Sequence, residues 1–151
     1  RATSAQEMYD AVHKYIADQD IFISVAAVAD YKVKNSSTQK LKKENSKDTP
    51  TLELETNPDI LASVAALPKP PFCIGFAAES EKVLEYARAK RLRKGIPMLI
   101  ANDVSQAMGK SSNQITIITD HEELSFPEKE KSQVAGEIVQ SLARHLDKLN
   151  L

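Results

Sequence analysis

Ile21-Phe22-Ile23-Ser24-Val25-Ala26-Ala27 is a nearly unbroken apolar run, and its reading decides the fold. A run of this kind suits a strand buried on both faces, as in a parallel sheet, rather than a strand with one wet side. Phe72-Cys73-Ile74-Gly75-Phe76-Ala77 and Met98-Leu99-Ile100-Ala101 repeat the pattern, and Ile115-Thr116-Ile117-Ile118-Thr119 adds a fourth strand. Between them lie stretches with helical periodicity.

Working outward, Ser4-Ala5-Gln6-Glu7 has capping-box spacing, with Met8, Val12, Tyr15 and Ile16 on one face of a helix ending near residues 18–20. Thr51-Leu52-Glu53-Leu54-Glu55 alternates, as a strand with one solvated face does. Thr56-Asn57-Pro58-Asp59 announces a second helix, with a capping residue and then Pro58 at the first helical position. Its apolar side is Ile60, Leu61, Val64 and Leu67, and Pro68-Lys69-Pro70-Pro71 stops it. Ser80 is the expected cap of a third helix, acidic at its start and basic at its end through Arg91, Arg93 and Lys94, with Gly95 as the stop. His121 to Phe126 forms a short edge strand, and Val134, Ile138, Leu142, Leu146 and Leu149 line a closing helix. Strands alternating with helices predict one α/β domain over residues 1–151, a Rossmann-like three-layer sandwich with a mainly parallel sheet.

Composition removes several classes of function. With 20 Lys+Arg against 21 Asp+Glu and a net charge of -1, the chain lacks the basic excess of a nucleic-acid or membrane-surface binder. Trp is absent and aromatics are few, so no base-stacking platform is expected. One cysteine, Cys73, precludes an internal disulfide and points to a reducing, cytoplasmic compartment. No segment has the apolar length of a membrane span, and no secretory signal opens the chain. The chain does not begin with Met and is expected to be part of a longer polypeptide.

In open α/β sheets ligands bind beyond the carboxyl ends of the strands. Ala26-Ala27-Val28-Ala29-Asp30, Asn57-Pro58-Asp59-Ile60, Gly75-Phe76-Ala77-Ala78-Glu79 and Asn102-Asp103 occupy those places. Small residues admit a ligand to the backbone, and helix N-termini offer N–H groups to an anion, so their convergence points to a nucleotide site. Neither G-x-G-x-x-G nor the Walker A pattern occurs, which leaves phosphates to helix N-termini and basic side chains. Residues 32–49 are rich in Lys, Ser, Asn and Thr and read as a flexible lid loop carrying Lys40-Leu41-Lys42-Lys43. That run is either a solvated charge cluster or a lid that brings a cation to a polyphosphate. Lys90 and Lys94, one helical turn apart, are surface charges suited to the helix dipole or phosphate contacts. Asp30 and Asp59 fit ribose or Mg²⁺–phosphate contacts, or equally a turn residue and a first-turn helix acid. Phe76 is core unless it lies past its strand's end, Cys73 reads as inert core, and His13, His121 and His145 lack metal-ligand spacing.

Taken in order, Ala26-Ala27-Val28-Ala29-Asp30-Tyr31, Lys40-Leu41-Lys42-Lys43, Asn57-Pro58-Asp59-Ile60, Gly75-Phe76-Ala77-Ala78-Glu79, Tyr86-Ala87-Arg88-x-Lys90 and Ala101-Asn102-Asp103 resemble the bacterial phosphopantothenate–cysteine ligase family over nearly the whole chain. The resemblance implies CTP-dependent joining of 4′-phosphopantothenate to L-cysteine through an acyl-cytidylate, in coenzyme A biosynthesis. It implies Lys40 as the catalytic lid lysine, and Ala26, Ala27, Asp30, Lys40, Asn57, Pro58, Asp59, Ile60, Phe76, Lys90 and Lys94 as nucleotide contacts. Mg²⁺ would arrive on the CTP phosphates rather than on a side-chain cluster. FMN would belong only to a decarboxylase fused ahead of the ligase. The family also implies a homodimer in which partner residues reach the substrate site. One departure stands out: the family's N-terminal Gly-rich nucleotide loop and its acyl-cytidylate Asn are missing here, so this portion alone is expected to bind CTP poorly or not turn over. The rival readings are an NAD(P)-binding redox domain and a non-catalytic dimerisation module.

Overall fold

In a computed structural model, which describes residues 1–37, 39–40, 49–103 and 111–149, helix α1 spans Ala5–Tyr15 and runs into a 3₁₀ turn at Ile16–Asp18. The Ser4 hydroxyl accepts the Glu7 N–H at 3.2 Å, as the capping box requires. The return contact differs: the Glu7 carboxylate accepts from the Thr3 N–H at 2.7 Å, one residue upstream of the cap.

The strands are β1 (Ile21–Ser24), β2 (Tyr31–Val33), β3 (Leu54–Thr56), β4 (Phe72–Glu79), β5 (Met98–Asp103), β6 (Ser112–Ile118) and β7 (Glu123–Glu130). The remaining helices are α2 (Ile60–Ala65), α3 (Val83–Lys94) and α4 (Lys131–Leu149). Five strands form one sheet in the order β1-β4-β5-β6-β7. β1, β4 and β5 run parallel, and β6 and β7 extend the sheet antiparallel. β2 and β3 form a separate antiparallel ribbon, with Lys32 opposite Glu55 at 3.3 Å.

Strand alternation divides the core into two. On one face Cys73, Ala77, Leu99 and Ala101 pack with Ile16, Leu61, Val64 and Ala87 from the helical side. On the other, Ile74, Met98, Ile100 and Ile117 meet Val134, Ile138 and Leu142 of α4. The result is the expected three layers, helices on both faces of a mixed sheet. Gly75 marks a close approach: a Cβ there would lie 2.7 Å from Leu61 Cδ2 and 2.8 Å from Ile96 Cδ1. Arg91, buried at the end of α3, donates to Asp120 at 2.7 Å and to the Ile96 carbonyl at 3.3 Å, tying the helix to the β6–β7 turn.

Several expectations need correction. β1 ends at Ser24 and lies at the sheet's edge, so Ile21 and Ile23 are 38% and 40% exposed rather than buried on both faces. β2 overlaps the start of the stretch read as a loop, at residues 32–33, because its partner β3 completes its backbone hydrogen bonds. Pro58 is not helical: Asp59 is the N-cap of α2, accepting the Ala62 N–H at 3.1 Å. Ser80 does not cap α3, which starts after Lys82 in a left-handed conformation at φ 45°. β4 continues to Glu79, and β7 is a full eight-residue strand.

Candidate functional site

An open cleft of about 870 Å³ lies at the carboxyl ends of β1 and β4, a size within the range of small-molecule sites. Its walls are the segment after β1, the start of α2, the end of β4 and one side of α3. The fold's parallel part therefore opens where open α/β sheets bind ligands.

The segment after β1 is made of small residues, and Ala26, Ala27 and Ala29 leave its backbone exposed to the cleft. A tight turn holds it, with the Val28 N–H donating to the Ala26 carbonyl at 3.1 Å. Asn57 then clamps its far end twice. The side-chain amide donates to the Ala29 carbonyl at 2.9 Å, and the backbone N–H donates to the Asp30 carbonyl at 2.8 Å. Asn57 thus fixes the place where the chain leaves for β2 and returns from β3.

From α3, Tyr86, Lys90, Arg93 and Lys94 line the opposite wall, spaced to share one helix face. Lys94 Nζ donates to both Asp59 oxygens, at 2.8 and 2.7 Å. Burial pushes the Asp59 carboxyl up, but the Lys94 and Ala62 hydrogen bonds and the charges of Lys94 and Arg93 outweigh it and hold it below the usual carboxylate range. With its carboxylate already capping α2, Asp59 occupies part of the donor capacity that a helix start offers an anion.

The cleft gathers Ala26, Ala27, Asp30, Asn57, Pro58, Asp59, Ile60, Phe76, Lys90 and Lys94. Lys40 is exposed and does not line it. Leu41, Lys42 and Lys43 lie outside the described residues. Phe76 is half-buried, packing on the α4 side of the sheet while also facing the cleft. Sequence reasoning did not pick Tyr86 and Arg93 as contacts, although their i−4 and i+3 spacing from Lys90 was a usable signal. Glu79, Met8 and Val12 also line the cleft, and α1 carried no mark of a site beyond its apolar face.

Other reactive groups are structural. Burial pushes the Cys73 thiol up to about 11, which keeps it protonated and unreactive at neutral pH. His13 shares a 2.8 Å hydrogen bond with Ser63 and stacks on Tyr9, while His145 is buried against Phe72. Among the described residues no three His, Cys, Asp or Glu side chains converge as a metal site, and no helix is long and apolar enough to cross a membrane.

Comparison with known proteins agrees with this architecture. Residues 1–146 match the family model of the DNA/pantothenate metabolism flavoprotein C-terminal domain. The chain is 46% identical over 143 residues to the coenzyme A biosynthesis bifunctional protein CoaBC of Vibrio vulnificus, covering 92% of this chain and 36% of that protein. It is 48% identical over 105 residues to CoaBC of Escherichia coli, covering 68% of this chain and 26% of that one. The crystal structure of the C-terminal domain of a CoaBC superposes with a TM-score of 0.77 at 32% identity, over 97% of this chain and 65% of that one. The flavoprotein of Streptococcus pneumoniae, at 17% identity, shares the fold with a TM-score of 0.74. The chain spans about a third of the length of the curated relatives it matches.

Proposed function

The chain belongs to the DNA/pantothenate metabolism flavoprotein C-terminal domain family, and from that premise we propose that it forms the nucleotide-binding part of a CTP-dependent phosphopantothenate–cysteine ligase. The observation that carries the reading is the cleft itself. Ten of the eleven residues expected to contact nucleotide, all but Lys40, come from four separate segments and line it, with Arg93 as a third cation beside Lys90 and Lys94.

In this reading the 4′-phosphopantothenate carboxylate attacks the α-phosphorus of CTP. The bond to the β-phosphate breaks, pyrophosphate leaves, and an acyl-cytidylate forms. The cysteine amine then attacks the acyl carbon, loses a proton, and CMP departs with the bonding electrons. Both steps gather negative charge on phosphate oxygens, so fixed cations and exposed backbone do more than covalent chemistry would. Ala26 and Ala27 let the nucleotide lie against the chain. Asp30 and Phe76 flank it, residues 57–60 form its floor, and Lys90 and Lys94 meet the phosphates. Lys40, carried on the 32–49 lid, neutralises the α-phosphate as pyrophosphate leaves. Mg²⁺, held by phosphate oxygens, would supply further charge neutralisation there. The relatives are named bifunctional, which fits a fused flavin-dependent decarboxylase that holds the FMN. A cytoplasmic homodimer completes the proposal.

A thermal-shift titration with Mg²⁺ and CTP, ATP or NADPH tests it, run on these 151 residues and on the full-length protein. A ligand specific to the native state raises stability by about 2.7 kcal/mol at a hundredfold excess over its dissociation constant. The expected outcome is a CTP-selective shift, larger in the full-length protein. Stabilisation by NADPH and not CTP would replace the ligase with a redox domain. No response to any nucleotide in either form would leave a dimerisation module.

A further inference from the structure

We infer that Glu79 holds the ammonium group of the amino-acid substrate and so serves the second half-reaction, not the nucleotide. The inference deepens the ligase reading above and rests on it.

Glu79 is the last residue of β4 and lines the cleft. Strand alternation puts it on the face of Cys73, Gly75 and Ala77, the side on which Ala87 of α3 packs. It is half-buried, yet it makes no hydrogen bond or ion pair among the described residues. The two other carboxylates of the cleft are placed differently. Asp59 is spent on Lys94 and the Ala62 N–H. Asp30 is exposed, so water and salt screen its charge. A carboxylate partly withdrawn from water and left unpaired costs stability, and such groups in clefts mark places where a ligand supplies the partner.

The cleft is also polarised along α3. The helix starts at Val83, four residues after Glu79, and its unpaired cations Lys90 and Arg93 come seven and ten residues later. At the helical rise this separation is about 10 and 15 Å along the axis. One end of the cleft is therefore cationic and the other carries a carboxylate. A polyphosphate settles at the first and is repelled from the second. CTP, the phosphorylated acid and the acyl-cytidylate are all anions. Mg²⁺ travels on the phosphates, and no three acidic or histidine side chains converge to hold it among the described residues. The remaining cation in the reaction is the ammonium of the amine substrate, and its contact with a carboxylate is of the strong, charge-assisted kind. A triphosphate laid with its leaving end at Lys90 brings its α-phosphate, and the acyl group placed there, toward the end where Glu79 holds that nitrogen.

The test separates the two half-reactions in the full-length protein. Pyrophosphate release from CTP and 4′-phosphopantothenate is followed without cysteine, and KM for L-cysteine and for CTP is measured with it. Glu79→Gln keeps the size of the side chain and removes its charge. We expect KM for L-cysteine to rise about tenfold or more. KM for CTP, the pyrophosphate burst and the Mg²⁺ activation midpoint should stay within about twofold, and Tm should hold or rise because an unpaired charge is gone. Glu79→Asp keeps the charge one methylene further back and should give a smaller, equally selective rise in the cysteine KM; it carries the test if Glu79→Gln does not fold. A weakened burst or a shifted Mg²⁺ midpoint would assign Glu79 to nucleotide or metal. An unchanged cysteine KM would leave it without a ligand, and a lower Tm with both KM values raised would make it structural. Each of these overturns the inference. Absence of CTP-dependent pyrophosphate release in the unsubstituted protein is a different result: it removes the ligase reading and the inference with it.

Discussion

Gly75 shows what a single methyl group does in this sheet. Its missing Cβ leaves room for the tips of Leu61 and Ile96, so Gly75→Ala forces both side chains to shift. Overpacking of this sort costs about 1–3 kcal/mol, which a urea denaturation series would read as a lower midpoint at constant slope. Lys40 is the opposite case, exposed and clear of the core. In the full-length protein the proposed ligase function predicts that Lys40→Ala lowers kcat by about 10²–10³-fold, as loss of one charge-stabilising donor does, with Tm nearly unchanged. An unchanged rate would make the lysine-rich run a solvated cluster. Individual residues were legible to different depths. Small residues and acids after strands could be found by position alone. A role for Lys40 came only from ordered resemblance, since one lysine in a polar run carries no local signal. Tyr86 and Arg93 were reachable only through Lys90, since their spacing places them on its helix face but nothing in the two residues themselves marks a site.

Elements were legible where burial dominates and obscure where capping decides. The cores of α1, β4, β5 and α4 follow from apolar periodicity. The starts of α2 and α3 do not, because a carboxylate with a lysine partner displaced the proline rule in one case, and a left-handed Lys82 replaced a side-chain cap in the other. The far end of α3 was readable, since Gly95 takes φ 63°, a conformation costly for any residue with a Cβ. Gly95→Ala should therefore destabilise by about 1 kcal/mol, seen as a Tm decrease with no change in ligand response. β3 was expected, although at Leu54–Thr56 it starts later than the alternation of residues 51–55 implied; β2 was missed because three residues with one half-buried side chain give no periodic signal, and only the partner strand makes them a strand.

The whole molecule sets the acid response. The Arg91 hydrogen bond holds the Asp120 carboxyl below its usual range, the Arg88 pair does the same for Glu123, and Lys94 does so for Asp59 against the pull of burial. Carboxyls depressed in the folded state contribute stability above their unfolded pKa, and that contribution is lost as pH falls through the folded values. Tm should thus hold steady near neutrality and fall as pH drops through and below the ordinary carboxylate range. Asp120→Asn should flatten that limb by removing one titrating group that joins α3 to the β6–β7 turn. A limb of unchanged steepness would show the pair to be irrelevant to acid stability. At this scale the three-layer α/β plan was readable from the order of apolar runs. The position of β1 was not, because an apolar run reports that a strand is sticky and says nothing of how many neighbours it has. Ile21 and Ile23 of β1 are exposed at that edge.

Asn57 closes a neck. By bonding the Ala29 and Asp30 carbonyls it joins the point where the chain leaves the sheet to the point where it comes back. β2 and β3, which leave and re-enter at that neck, pair with each other and lie outside the five-stranded sheet. A protease nick between Lys34 and Glu53 should leave the two pieces co-eluting as one folded particle. That ribbon hangs outside the sheet from the neck, so a change of chain length beyond it carries a small entropic cost and leaves the floor of the cleft as it is.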